Sequence, residues 1–500
     1  MYIIAFNYIY RVHSVISKEV IIEMKMAKRV IAGCAALTMV LGVATSCTKS
    51  SNTKTGGEGF TAEQAKIVEE MKKKVPSDAK ESLKNKEITW LAHYDINPAK
   101  GKAASPALTL FQDCYGGTIK YKATTWENRY NDLANGVLSG NGPDFFPAND
   151  MDTFPRGAIK EQFDPIDDYI DLDSDLWKDM KSQMDAFEFN GKHYVCVTKT
   201  VPRYACVYNK TTIENEGFDD PAELFENGEW DWDIFEKMCK DFTDDSQKKY
   251  GLDGYWYVKA ISESCGVPLI TLKDGKLVEN MSDPELEKIQ TRMYKLQKNN
   301  VVFPRSENEW KTRGNGANGE GLGSHLTLFI PIGLYALEAD PDTTKTFGNV
   351  ENGEVMFVPM PKDPDSDKYY ISAKVDGYNF CHAGPNPEGV AAYMNCIKIA
   401  TDNGGDKIYE QQLKDTYKWT EEMIEMRKTM YDLVVENPVY DLQDGVSQDL
   451  SAIMQNVSQA TMITGGDATS WTKCRSSNQK AIQWLLNDAN KQIKEVNSKS

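Results

Sequence analysis

The chain is poor in the residue patterns that common catalysts need. Its five histidines, His13, His93, His193, His325 and His382, are scattered over 500 residues without HExxH or metal-ligand spacing, so structural or surface roles are expected of them. No GxSxG elbow and no phosphate-binding P-loop occurs. Gly314 to Gly323, GNGANGEGLG, lacks the Lys-Ser/Thr that would follow a phosphate cradle and reads as a surface loop. Long basic runs are also missing, and the net charge is −17, which excludes a nucleic-acid backbone as the natural partner because that binding needs clustered Lys and Arg. No uncharged apolar run reaches the ~20 residues that span a bilayer. Eight cysteines follow position 47, namely Cys114, Cys196, Cys206, Cys239, Cys265, Cys381, Cys396 and Cys474, with no CxxC and no pairing rhythm. They are expected to be small buried residues, with a Cys196/Cys206 bridge left open. No cofactor and no metal is expected. Six Asp between Asp164 and Asp175 lack the Gly and closing Glu of a calcium loop and suit solvated helix starts.

What is present begins with an address label. Lys25, Lys28 and Arg29 precede the charge-free apolar run Val30 to Val43, then Ala44-Thr45-Ser46-Cys47, the order of a secretory signal. Small residues directly before Cys47, and the polar stretch Thr48 to Gly59 after it, resemble a bacterial lipoprotein signal, in which the cysteine is lipidated; Ala44 stands where that signal usually has Leu. Cys34 after Ile31-Ala32-Gly33 is a second candidate, and ordinary secretory cleavage the main alternative. Lys18, Glu19 and Glu23 interrupt anything earlier, so translation is expected to start at Met24. Residues 1–46 carry a net +3 and leave −20 on the remainder.

From Glu87 onward, strands and helices alternate. Ile88 to Leu91 and Thr118 to Tyr121 read as strands, Ala107 to Tyr115 and Trp126 to Leu138 as helices, and Asp144-Phe145-Phe146 as a short buried strand. This rhythm predicts βαβ units and a largely parallel sheet, an α/β fold. Thr61-x-x-Gln64 is a capping box. Asp231-x-Asp233 opens an amphipathic helix with Phe235, Met238, Cys239 and Phe242 on one face, Trp232 being a packing residue. Helices are expected over Glu388 to Ala400, Trp419 to Leu433 and Gln479 to Val496.

Aromatic abundance is the positive signal. Trp 10, Tyr 24 and Phe 18 include many in Gly-, Pro- and Asp-rich turns. Sugars offer C–H faces to such rings and hydroxyls to Asp, Glu, Asn and Arg, so this mixture suits a carbohydrate cleft. Paired glycosidase carboxylates need only spatial proximity, and that alternative stays open.

In order and spacing, Gly142-Pro143-Asp144-Phe145-Phe146, Phe189-Asn190-Gly191-Lys192-His193-Tyr194, Val207-Tyr208-Asn209-Lys210, Gly228 to Phe235, Val358-Pro359-Met360-Pro361 and Asn386-Pro387-Glu388 resemble a family 1 extracellular solute-binding protein, the maltose-binding-protein-like component of an ABC importer. The resemblance implies a two-lobed periplasmic-binding-protein-like fold with a hinge of crossover strands. It places an N-terminal lobe at 87–201 plus 376–440 and a C-terminal lobe at 202–375 plus 441–500, after a lipidated tether and short helix at 47–86. Crossovers are implied near Thr198 to Val207, Ser372 to Tyr378 and Pro438 to Gly445. Ligand contacts are implied at Asp150 and Asn149 after the Pro-Asp strand and at Trp471 as the stacking ring. Where relatives carry Trp after a Gly in the second lobe, this chain has Gly333-Leu334-Tyr335, with Tyr335 as a substitute. Tyr94 at the first strand end, Arg203 and Tyr204 at the hinge, and Asp376 with Tyr378 at the second crossover complete the set. The implied function is capture of a small saccharide, mono- or oligosaccharide, by a lipid-anchored monomer outside the cytoplasm that delivers it to ABC permease subunits without bond chemistry. A surface-anchored glycosidase or lyase, and a carrier of peptides or polyamines, are the alternatives.

Overall fold

The computed structural model describes residues 59–99, 102–306, 321–338 and 346–497. The signal at 1–46, Cys34, Cys47, most of the tether and residues 314–320 of the glycine-rich loop lie outside the described residues. Among the described residues no helix is long and apolar enough to cross a membrane.

The strand Glu87–Ala92 buries Ile88, Trp90, Leu91 and Ala92. It pairs in parallel with Thr118–Ala123, Glu87 opposite Thr118 and Ala92 opposite Ala123, and with Phe145–Pro147 through Trp90 and Phe145. The rings of that second pair lie 4.6 Å apart, burying apolar area where the strands meet. A polar clasp sets this register. Buried Asp144 accepts the backbone N–H of Thr89 at 2.6 Å and of Asn386 at 2.7 Å. The Asn386 amide in turn donates to the carbonyls of Asn85 and Glu87 at 3.0 and 2.9 Å. The opening of the helix Pro387–Ala400 is thereby tied to the start of the first strand.

Two sheets organise the chain. In the first, the long strand Ile371–Cys381 lies between Pro438–Val439 and Phe145–Pro147, beyond which come Glu87–Ala92 and Thr118–Ala123; Phe163–Asp164 and Cys196–Pro202 also pair with the long strand. Its partners Phe145–Pro147, Phe163–Asp164 and Cys196–Pro202 run antiparallel to it, so the expected parallel sheet is mixed. The second sheet has the order Val355–Val358, Ala205–Asn209, Thr327–Ile332, Tyr250–Leu252. The backbone leaves the first sheet at Arg203 and Tyr204, returns between Val358 and Ile371, and passes a third time after Val439. At that third passage the N–H of Leu442 donates to the carbonyl of Ile270 at 3.0 Å. These are the two lobes and connecting strands of a periplasmic-binding-protein-like fold.

The capping box at Thr61 and Gln64 forms as expected and opens the helix Ala62–Lys72. Asp231 caps Trp232–Phe242 by accepting the N–H groups of Asp233 and Ile234 at 2.9 and 3.0 Å, and Trp232 is buried with its indole N–H on the Ser264 hydroxyl at 3.0 Å. The expected helix at Trp126 begins later, at Arg129–Leu138, because Thr125 to Asn128 form a turn closed by Thr125. All eight described cysteines are free thiols, seven buried and Cys114 half-buried, so Cys196 and Cys206 are not bridged.

One buried ion pair supports the end of the second sheet. Arg305 donates to the Asp253 carboxylate at 2.8 Å and to the carbonyl of Gly254 at 3.1 Å, with both charged side chains removed from water. This fixes the turn Asp253 to Trp256 that follows the strand Tyr250–Leu252. Arg305→Met removes the guanidinium from the buried Asp253 carboxylate, and is expected to cost about 3–5 kcal/mol. Urea unfolding of the purified variant measures this, and a loss below about 1 kcal/mol contradicts the assignment.

Candidate functional site

The carboxyl ends of parallel strands are where open α/β sheets present ligand-binding loops. Here Ala92 leads into His93 and Tyr94, and Pro147 leads into Asn149 and Asp150. The Tyr94 ring meets Trp90 edge-on at 5.7 Å, and the Trp90 indole N–H donates to the Tyr94 carbonyl at 3.0 Å. On the long strand, side chains alternate between faces, and Lys374, Asp376 and Tyr378 share the half-buried one. The backbone N–H of Ala148 donates to the Gly377 carbonyl at 2.9 Å, bringing the Asn149 and Asp150 loop to this face.

Four side chains converge here without hydrogen-bond or ion-pair partners among the described residues: Asp150, Arg203, Lys374 and Asp376. Arg203 is distinctive. Every other described arginine has a carboxylate within reach: Arg129 and Arg156 on Asp152, Arg292 on Asp233 and Glu236, Arg305 on Asp253, Arg427 on Asp406, Arg475 on Glu287. The Arg203 backbone is fixed, its N–H donating to the Ser372 carbonyl at 2.8 Å. Its guanidinium carbon lies 5.8 Å from the centroid of the Tyr204 ring.

Electrostatics show that these groups share one neighbourhood. Burial pushes the Asp150 carboxyl up to about 6; Asp152 adds to the shift, while Arg129, Arg203 and Lys374 oppose it. Burial likewise raises Asp376 against the pull of Lys374 and Lys199. The Tyr94 phenol is raised by burial and then by Asp150 and Asp376. For Arg203, burial alone favours the neutral form, but Tyr204, Glu263, Asp444 and Asp441 outweigh it and hold the guanidinium charged. Behind Arg203, buried Glu263 accepts the Ser372 hydroxyl on one oxygen, while the other lies 3.7 Å from the Lys259 ammonium. Burial raises Glu263 despite Lys259.

The second lobe contributes rings. Trp256 is 45% exposed and Tyr335 59%. Tyr204 is buried and stacked behind Trp256, with centroids 6.3 Å apart at 22°, so it supports a platform instead of forming one. Gly333 is required beside Tyr335, since a Cβ there would sit 2.4 Å from the Tyr335 ring and 3.1 Å from the Arg203 carbonyl. Tyr335 therefore lies next to the first crossover.

Of the residues expected from the sequence, Tyr94, Asp150, Arg203, Asp376 and Tyr335 come together. Asn149 adjoins them, its side-chain oxygen buried and without a hydrogen-bond partner. The Tyr378 ring packs against Trp90 and Phe145 at 5.9 and 6.2 Å and backs the Tyr94 side. Trp471 does not join them. It is 3% exposed, opens the helix Trp471–Asn497, and donates its indole N–H to the Met281 carbonyl at 3.0 Å. It is a core residue with no face for a ligand. Lys374 and Trp256 were missed. The two-residue alternation that links Asp376 and Tyr378 reaches Lys374 as well.

Residues 96–309 match the family model described as bacterial extracellular solute-binding protein. Over that segment the chain is similar to that family. Solved structures agree in fold at low identity. An ABC substrate-binding protein of Listeria monocytogenes, solved with cycloalternan, is 16% identical, with a TM-score of 0.52 over 82% of this chain and 98% of that one. A solute-binding protein of Thermotoga lettingae bound with α-D-tagatose is 15% identical, with a TM-score of 0.51 over 82% and 100%. The GacH receptor of Streptomyces glaucescens, solved unliganded and with acarbose, is 13% identical, with a TM-score of 0.55 over 80% and 98%. No curated protein matches the sequence.

Two outcomes follow from these positions. Asp150 titrates at about 6 in the folded chain and near 3.9 when unfolded. Between those values the folded chain binds more protons than the unfolded one, so this group's contribution to stability is present at low pH and is lost as pH rises from about 4 to about 6. Asp150→Asn lacks that decline, and parallel pH profiles in urea unfolding of the two proteins contradict the assignment. Trp471→Phe is expected to lower stability by about 1–2 kcal/mol through the lost hydrogen bond and packing. Ligand affinity by calorimetry should not change; a large drop would return Trp471 to the site.

Proposed function

We propose that the protein is the lipid-anchored binding component of an ABC importer, capturing a saccharide between its two sheets and delivering it to membrane permease subunits. The observation that carries this reading is the set Asp150, Arg203, Lys374 and Asp376, without hydrogen-bond or ion-pair partners among the described residues, beside the exposed Trp256 and Tyr335. Buried or half-buried charges without partners are costly unless a ligand completes their hydrogen bonds. Two carboxylates and two cations match a ligand that both donates and accepts and carries no net charge, which describes a polyhydroxylated ring. Exposed aromatic faces beside them suit its C–H face. A polyamine, all donor and all cation, would meet Arg203 and Lys374 unfavourably. The sugars in the solved relatives point the same way.

On this reading no bond is made or broken. The lobes close about the passages at Arg203 and Tyr204, at the long strand and after Val439, and the ligand favours the closed form because only there does it touch both sheets. Acyl chains on Cys47 hold the monomer outside the cytoplasm against the membrane, with the polar stretch to Gly59 as tether.

A thermal-shift screen of the purified chain against mono- and oligosaccharides, dipeptides and polyamines tests the reading. A saccharide at about 100 times its Kd should add roughly 2.7 kcal/mol of stability, a rise of several degrees, and the sugar should be recovered intact. Shifts with dipeptides or polyamines alone sink the saccharide assignment, and release of shortened products assigns the site to a carbohydrate-active enzyme.

A further inference from the structure

We infer that Trp126 forms an outer sugar-stacking subsite at the edge of the first sheet, and that the ligand is therefore an oligosaccharide instead of a single sugar. This rests on the saccharide reading above and extends it to a residue and a ligand length.

Trp126 lies in the turn after Thr118–Ala123, the outermost strand of the first sheet. The residue is 45% exposed yet its ring is held in place. The Arg129 guanidinium carbon sits 3.4 Å from the ring centroid. Arg129 is itself buried and donates to the Trp126 carbonyl and to the Asp152 carboxylate, so the guanidinium that covers one face of the indole cannot swing away. His93 meets the ring perpendicularly, at 5.2 Å and 90°. The cation and the imidazole hold the indole, and the residue still keeps nearly half of its surface exposed. Trp484, by contrast, is 68% exposed on the helix Trp471–Asn497 with no ring or cation against it among the described residues, as expected of an incidental surface residue. Fixing a large apolar ring while leaving the residue nearly half exposed forgoes burial, and what it provides is a platform whose ordering entropy is already lost before a ligand arrives.

The platform is connected to the site already described. Ring centroids run from Trp126 to His93 at 5.2 Å, His93 to Tyr94 at 5.0 Å, and then through the buried Trp90, 5.7 Å from Tyr94, to Tyr378 at 5.9 Å, a series of ring contacts that ties the sheet edge to the long strand. The order of the sheet places two strands, Phe145–Pro147 and Glu87–Ala92, between the long strand and Thr118–Ala123. Three strand spacings make roughly 14 Å, more than one pyranose ring spans. A ligand that touches Asp376 and Arg203 and also covers Trp126 needs two or three linked rings. His93 lies along that path, exposed, and burial followed by Arg129 lowers its pKa; the resulting neutral imidazole can both donate to and accept from hydroxyls.

Isothermal titration of the full mature chain with gluco-, galacto-, manno- and xylo-configured sugars, each from monosaccharide to tetrasaccharide, tests this directly. Affinity in the series that binds should rise by about tenfold or more between one and three units, and Trp126→Ala should remove about tenfold for the trisaccharide while leaving the monosaccharide unchanged. Trp126→Tyr, which keeps a stacking ring and guards against a folding defect in the alanine variant, should recover most of that loss. Affinity independent of length, or equal losses for monosaccharide and trisaccharide, overturns the outer subsite while leaving sugar binding intact. Absence of binding by every series overturns the saccharide reading and the subsite with it.

Discussion

The strand Ile371–Cys381 is paired to four others, Phe145–Pro147, Phe163–Asp164, Cys196–Pro202 and Pro438–Val439, and these pairings fix the geometry of the site. Slipping the strand by one residue would turn Lys374, Asp376 and Tyr378 into the core and Val375 and Gly377 outward. Several partners at once make that slip costly, since each would lose its ladder. The same strand carries Ser372, whose carbonyl holds the Arg203 backbone and whose hydroxyl reaches Glu263 in the second lobe. Register in the first sheet and the position of the hinge are therefore one constraint.

Against that scaffold, the distribution of charge pairs gains meaning. Away from the hinge face, charges that leave water are matched: Arg305 by Asp253, Lys398 by Asp179 and Asp402, Arg129 and Arg156 by a shared Asp152. At the hinge face the matching stops, although opposite charges are near enough to shift one another. The Asp150 carboxyl is opposed by Arg203 and Lys374, yet neither makes an ion pair with it. A fold that pairs its other described arginines and leaves this guanidinium without an ion pair has, on the proposed reading, its donors where a ligand supplies the acceptors.

Much of this was legible in the sequence for identifiable reasons. Caps at Thr61 and Asp231 and the apolar period of Phe235, Met238, Cys239 and Phe242 mark helices because they satisfy local backbone groups. Tyr94, Asp150 and Arg203 were legible because the chain must pass from strand end to loop at each. Trp256 was hidden, since the strand before it, Tyr250–Leu252, is too short to show a period. Trp126 reads as a helix start in sequence, and only its contact with Arg129 and His93 shows that it precedes the helix. Trp471 misled for the opposite reason: its family-like position says nothing of Met281, distant in sequence, whose carbonyl takes its indole N–H.

On the proposed reading, binding and closure are coupled by the placement of the rings and charges. Asp150 and Asp376 belong to the first sheet's loops and long strand, Trp256 and Tyr335 to the turns that follow strands of the second sheet, and Arg203 to the segment between the sheets. A ligand resting on the first lobe alone satisfies the carboxylates but leaves the Trp256 and Tyr335 faces in water. Bringing the second lobe against it buries those faces and completes the Arg203 hydrogen bonds. The free-energy difference between these two complexes is what shifts the population toward the closed form. It grows with the apolar area and the number of polar groups the ligand shows to the second lobe, so a ligand that fits only the first lobe would bind without closing the hinge.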